Sequence, residues 1–265
     1  MGSDAPLSPP AALFDLAGRR AVVSGASSGI GRRLALVLAT AGARVLTVAR
    51  RGERLEALRR DHPALASRLT PLALDLTGPG AAEVVARRVE EALGGCDILV
   101  GAAGVPGRAG SSPPLDTALF EQVLRCNVIL QAALASALQP ALEASGCGRV
   151  IHVASVYGLG GEETGPLTPY VVSKHALVGL TRSQAIEWAG RGITVNALAP
   201  AHFPTEMTEA LFQNPAIGPR LLARYPIGRI GRLEELDTAL LFLASPASSF
   251  VTGIVLPVDG GWTCR

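Results

Sequence analysis

The chain has 265 residues, 48% of them hydrophobic and 17% charged, the make-up of a compact globular protein with a well-buried core. A formal net charge of +2 gives no electrostatic reason to expect nucleic acid or an anionic membrane as partner, and no apolar run approaches the roughly 18 residues of a membrane span. Four cysteines (Cys96, Cys126, Cys147 and Cys264) lack any C-x-x-C spacing, which argues against a metal site or a disulfide framework and for free thiols in a reducing compartment, taken as the cytoplasm.

Residues 1–12, MGSDAPLSPPAA, read as a disordered leader. They have neither the basic start nor the apolar core of a signal peptide, and Pro6 stands where a myristoylation pattern wants Ser or Thr. From 13 to 265 no linker or composition break divides the chain, so one domain is expected. Short β-branched runs at 19–24, 43–49, 69–76, 96–102, 148–155, 193–199 and 253–258 alternate with helical stretches such as GRRLALVLATAG, GAAEVVARRVEEALG and DTALFEQVLRCNVILQAALASALQPALEAS. The runs do not alternate cleanly between apolar and polar, which suits strands buried on both faces. The expected architecture is a single-domain, doubly wound α/β Rossmann fold, a seven-stranded parallel sheet flanked by helices. Residues 203–232 interrupt this rhythm with four prolines. An excursion of that length is expected to cover the site.

The first strand runs into SGASSGIG, residues 24–31, and then at once into a helix. Gly25, Gly29 and Gly31 allow a tight turn that a pyrophosphate can approach closely, with Ser27, Ser28 and Ile30 between them, and the helix N-terminus presents N–H groups to the anion. The second strand ends TVARRGER. An acid there would accept hydrogen bonds from the adenosine ribose, whereas Arg50 and Arg51 offer guanidinium forks suited to a 2′-phosphate. NADP(H) is therefore the expected cofactor.

The chain's one lysine, Lys174, follows Tyr170 by four residues, which places both on one face of a helix. A tyrosine, with a reference pKa near 10, is a poor acid–base at neutral pH. A nearby ammonium is expected to favour the phenolate, and a lysine, unlike an arginine, can also relay a proton. That chemistry explains one amine kept in a chain whose other cationic side chains are arginines.

These segments, together with RVIHVASVYG, LRCNVI, VNALAPAHFPTEM and FLASPASSFVTGIVLPVDGGWT, resemble the short-chain dehydrogenase/reductase family from Leu16 to Thr263. The glycine spacing G-x-x-x-G-x-G and the Y-x-x-x-K of YVVSK carry the likeness. The resemblance implies a catalytic tetrad of Asn127, Ser155, Tyr170 and Lys174, with Ser155 bonding the substrate oxygen and Asn127 holding a water that links the lysine to solvent. It also implies cofactor contacts from the glycine-turn residues, Arg50, Arg51, Asp75, Leu76, Ala103, Gly104, Tyr170, Lys174, Pro200, Phe203 and Thr205. Asp75 would meet the adenine amine, or serve only as a strand-end cap, and Thr205 the carboxamide.

Two departures stand out: Gly101-Ala102-Ala103-Gly104 replaces the family's Asn-Asn-Ala-Gly, removing an asparagine that braces the central sheet, and Ala201 replaces a glycine. The expected activity is hydride transfer between nicotinamide and a small-molecule carbonyl or secondary alcohol. The likeness to the gluconate 5-dehydrogenase branch implies a keto-sugar acid such as 5-ketogluconate, with Arg108, His202, Arg220 and Arg224 as candidate carboxylate anchors. A 3-oxoacyl-thioester or secondary-metabolite ketoreductase shares the same core. A catalytically silent NADP-binding regulator or scaffold, and a lyase or isomerase, are the rivals from other classes. His152 and His175 read as packing or surface residues, and Glu162 and Glu163 as either pocket or solvent-facing. The resemblance further implies a homotetramer (or homodimer) paired through helices at 116–143 and 168–190.

Overall fold

The computed structural model describes residues 9–107, 116–161 and 167–264. All seven expected strands are present and form one parallel sheet: β1 (Arg20–Ser24), β2 (Arg44–Ala49), β3 (Leu69–Ala73), β4 (Ile98–Gly101), β5 (Arg149–Val153), β6 (Thr194–Pro200) and β7 (Val255–Val258). Their order in the sheet is β3-β2-β1-β4-β5-β6-β7. Every residue of β5 and β6 is buried, which is why these strands read as continuous apolar runs.

Helices α1 (Gly29–Thr40), α2 (Gly52–Arg60), α3 (Ala81–Leu93), α4 (Thr117–Leu124), α5 (Leu130–Ala144), α6 (Thr168–Trp188), α7 (Glu209–Gln213), α8 (Gly218–Ala223) and α9 (Asp237–Ala244) complete the described structure. Two apolar layers sandwich the sheet. Leu34 and Leu38 of α1 and Leu240 and Leu243 of α9 pack on one face. Val85 and Val89 of α3, Leu134 and Leu138 of α5, and Ala185 of α6 pack on the other. The chain winds outward from β1 in one direction through β2 and β3, and in the other through β4 to β7. Ligands in open sheets of this kind sit where the two windings part, at the carboxyl ends of the strands.

Two elements refine the expectations. Helices α4 and α5 are joined without a break by one π turn, Arg125–Ile129, so that a continuous helix runs from Thr117 to Ala144. By length and composition alone this helix could cross a membrane, although no apolar run in the sequence suggested one. In this fold its buried face carries the polar Asn127 and Gln131 as well as Leu134, Leu138 and Leu142. Residues 203–232 contain α7 and α8, two short helices the sequence pattern did not reveal.

Candidate active site

A cleft of about 450 Å³ opens at the carboxyl ends of β1, β2, β4, β5 and β6, and every residue expected to bind the dinucleotide lies on its wall. The turn after β1 needs its glycines. Gly25 and Gly29 have φ of 70° and 53°. A Cβ on Gly25 would lie 2.8 Å from the amide nitrogen of Ala103, and one on Gly31 would overlap the carbonyl of Gly25. Ser28 starts α1 without a side-chain cap, which leaves the first-turn N–H groups to the cleft. The Ser28 and Ser27 hydroxyls instead accept from Arg51 Nη2, at 2.6 and 3.1 Å. Arg50 lines the cleft beside it. Asp75 Oδ1 caps a turn by accepting from the Thr77 amide (3.0 Å) and hydroxyl (2.7 Å), bonds that hold its carboxyl below the usual range. The Phe203 ring is buried in the core, so its backbone is what it offers the cleft. A glycine turn, an uncapped helix N-terminus and a guanidinium fork fit a dinucleotide phosphate.

At the inner end of the cleft, Ser155, Tyr170 and Lys174 converge from the end of β5 and the first turns of α6. Lys174 is buried, donates from Nζ to the Val153 carbonyl at 2.8 Å, and stands 5.5 Å from the centre of the Tyr170 ring. Burial lowers its pKa from 10.5 to about 8. Burial also pushes Tyr170 up to about 12, and a hydrogen bond from Ser155 pulls the other way without prevailing. This differs from the expected lowering by the ammonium: in the protein alone, desolvation of the phenolate dominates, and the phenol is the neutral-pH form.

Asn127 occupies the π turn, a break in helical regularity of the kind found at functional sites. The extra residue turns its carboxamide toward the cleft loop, where Oδ1 accepts from Val105 N (2.8 Å) and Nδ2 donates to Val105 O and Ser173 Oγ (both 3.0 Å). It thereby clamps the loop after β4, and the Asn127 Oδ1 and Lys174 Nζ both lie close to Gly104.

The missing family asparagine has a replacement. A Cβ on Gly101 would overlap Gln131 Oε1, so this glutamine fills the space the glycine leaves, and its Nε2 donates to the Ala103 carbonyl at 2.7 Å. Ser24 Oγ accepts from the Ala102 and Ala103 amides at 3.1 and 3.2 Å. The Gln131 position, one turn after Asn127 on a helix face that continues with Leu134, Leu138 and Leu142, is the signal that could have disclosed it. His152 packs beside it, fully buried, with Nε2 at 2.9 Å from Gln184 Oε1. Since Oε1 can only accept, Nε2 carries the hydrogen, and Nδ1 has no partner among the described residues. Burial lowers His152 from 6.5 to about 4. Its proton is then taken up by the unfolded chain first as pH falls, so stability present above pH 6.5 is lost on the way to pH 4, by about 3 kcal/mol. Urea titrations at pH 7 and pH 4.5 should show this loss in the wild type, and a visibly smaller one in His152→Gln.

His202 does not line the cleft. It is buried between two phenols, with Nε2 3.0 Å from the Tyr157 hydroxyl and Nδ1 2.6 Å from that of Tyr225. The Tyr225 oxygen already accepts the His202 backbone N–H at 3.0 Å, so its own hydrogen is available to Nδ1 and the imidazole Nε2–H to Tyr157. Trp262 and Phe212 close on the same ring, and Tyr157 meets Tyr170 edge-on at 6.2 Å. Of the other proposed anchors, Arg224 lies over Trp262 at 4.1 Å and Arg220 is exposed on α8. His175 bonds the Val171 carbonyl on the outer face of α6. Arg108, Glu162, Glu163 and residues 1–8 of the leader lie outside the described residues. Among the described residues no cluster of His, Cys, Asp and Glu could hold a metal.

Residues 25–263 match the family described as enoyl-(acyl carrier protein) reductase. The chain is 37% identical over 252 residues to galactitol 2-dehydrogenase (L-tagatose-forming) of Cereibacter sphaeroides, covering 95% of this chain and 97% of that one. It is 36% identical over 255 residues to gluconate 5-dehydrogenase of Gluconobacter oxydans, with coverage of 95% and 97%. Its fold is similar to that of a gluconate 5-dehydrogenase from Burkholderia cenocepacia solved in complex with NADP and tartrate, with a TM-score of 0.88, 33% identity, and coverage of 96% of this chain and 99% of that one.

Proposed function

Since this chain belongs to the short-chain dehydrogenase/reductase family, we propose that it is an NADP(H)-dependent oxidoreductase that interconverts a carbonyl and a secondary alcohol. The observation that carries this reading is the meeting of Ser155, Tyr170 and Lys174 at the inner end of a cleft whose outer end is a phosphate turn backed by Arg51. The nicotinamide, when bound, supplies or takes the hydride at the carbonyl carbon. In the reducing direction Tyr170 Oη gives its proton to the carbonyl oxygen, so that hydride plus proton yield the alcohol. The Ser155 hydroxyl holds that oxygen in place. Lys174, with a pKa near 8, returns a proton toward Tyr170 and binds the ribose hydroxyls. Asn127 fixes the loop after β4 against which this machinery is built. Thr205 and the backbone at Pro200–Phe203 flank the ring, while Asp75, Leu76, Ala103 and Gly104 line the path to the adenine.

The substrate proposed is a polyhydroxylated ketone or keto acid of the 5-ketogluconate type. The similarity to galactitol and gluconate dehydrogenases supports it. The partly buried apolar side chains grouped with Tyr170, among them Leu167, Val171 and Phe212, favour a second reading, an acyl-thioester ketone. Exposed Ile129, Val172 and Ile186 on the two long helices support pairing into a homo-oligomer, and a cytoplasmic location accords with free thiols. The test is NADPH oxidation, with NADH in parallel, against 5-ketogluconate, keto-hexoses, acetoacetyl thioesters and cyclic ketones. Turnover of the sugar acids with NADPH is expected; turnover of thioesters alone selects the second reading, and tight NADPH binding without turnover of any member counts against the oxidoreductase reading.

A further inference from the structure

The segment that follows β6 reaches back across the cleft to its phosphate end. Thr205 packs on Gly29 of the glycine turn, and a Cβ there would lie 3.1 Å from Thr205 Cγ2. The next residue, Glu206, sets one carboxylate oxygen 3.1 Å from Arg51 Nη1 and the other on Arg54 Nη1. Arg51 simultaneously donates to the hydroxyls of Ser27 and Ser28. A second hollow of about 280 Å³, lined by Ser27, Ser28, Arg32 and Arg54, adjoins the main cleft, and Glu206 belongs to the walls of both. An anion held by two guanidinium groups beside two hydroxyls, at the end of strand two, has the donor set that a ribose 2′-phosphate requires.

We propose that Glu206 occupies the 2′-phosphate site as an internal carboxylate, and that NADP(H) must displace it whereas NAD(H) need not. The inference rests on the NADP(H) reading above and deepens it by naming the residue that opposes the phosphate. When a 2′-phosphate arrives, its oxygens replace both carboxylate contacts on Arg51 and Arg54. Glu206 then turns toward solvent, and the stretch from Phe203 to Thr208, tied together by the Thr208 hydroxyl on Phe203 O and Thr205 O, moves with it. When NAD(H) binds, Glu206 stays and neutralises the two arginines that would otherwise face an uncharged ribose. The pair is exposed, so its grip is small, and the expected effect of removing it is a matter of several-fold rather than thousands.

Dissociation constants for NADPH, NADH, adenosine 2′-monophosphate and adenosine 5′-monophosphate, measured by calorimetry on the wild type, Glu206→Gln and Arg51→Ala, test it without any turnover. Glu206→Gln should tighten NADPH and the 2′-monophosphate by roughly 3- to 10-fold and leave NADH and the 5′-monophosphate within about twofold. Unchanged or weakened NADPH binding in Glu206→Gln, in a wild type that prefers NADPH and loses that preference in Arg51→Ala, would overturn the proposal and leave the cofactor reading standing. A wild type that binds NADPH no better than NADH, with Arg51→Ala altering neither, would overturn both.

Discussion

Tyr170→Phe should lower turnover by about 10³-fold while changing NADPH affinity less than about twofold, the range for loss of a general acid. The substitution removes one oxygen from a ring that keeps its edge contact with Tyr157, so the fold has no reason to respond. What is lost is a proton positioned beside Ser155 and held by a group whose pKa of about 12 keeps it protonated at every physiological pH. Reduction therefore starts with the acid loaded. Steady-state kinetics with calorimetric NADPH titration would separate the two effects. Retained turnover in the phenylalanine variant would move the acid elsewhere and undo the assignment of the centre.

Lys174→Met should cost 10²- to 10³-fold in turnover, and it carries a second signature that a merely structural lysine would not leave. The folded protein holds this amine at about 8 against 10.5 in the unfolded chain, so between those values the unfolded chain binds more protons and stability rises with pH. The rise approaches 3 kcal/mol over the whole window, to order of magnitude. In the methionine variant that contribution is gone, and the difference between the wild-type and variant curves should show it. The difference is best read between pH 8 and 9, because the Cys96 thiol, raised by burial from 9.0 to about 12, and Tyr170, raised from 10 to about 12, contribute with the opposite sign above about 9 and 10 in both proteins. An unaltered slope in Lys174→Met would mean that the amine is not desolvated as the geometry requires.

The sheet was legible because its inner strands are buried on both faces and read as β-branched apolar runs such as ITVNALA, while the edge strands β3 and β7 are only half-buried. Short amphipathic pieces such as α2, α7 and α8 were not, since five to nine residues carry too few turns for a period to show. The turn and the tyrosine–lysine pair were legible because their chemistry is local, a fixed spacing along one segment. What escaped is long-range. Nothing near Arg51 points to Glu206, 155 residues later, and nothing near His202 points to Tyr157 or Tyr225, which share its ring nitrogens. The pKa of Tyr170 also ran opposite to expectation, because a charge partner is visible in sequence and a desolvating environment is not.

The exchange at β4 bears on how this chain can be altered. Gly101 and Gln131 occupy one volume between them, so they amount to a single structural choice written at two distant positions. Restoring an asparagine at 101 on its own would push the glutamine carboxamide from its place, while trimming the glutamine alone would open a void, and either change releases the Ala103 carbonyl. An asparagine returned to position 101 therefore has to be planned together with a new place, or a replacement, for the glutamine.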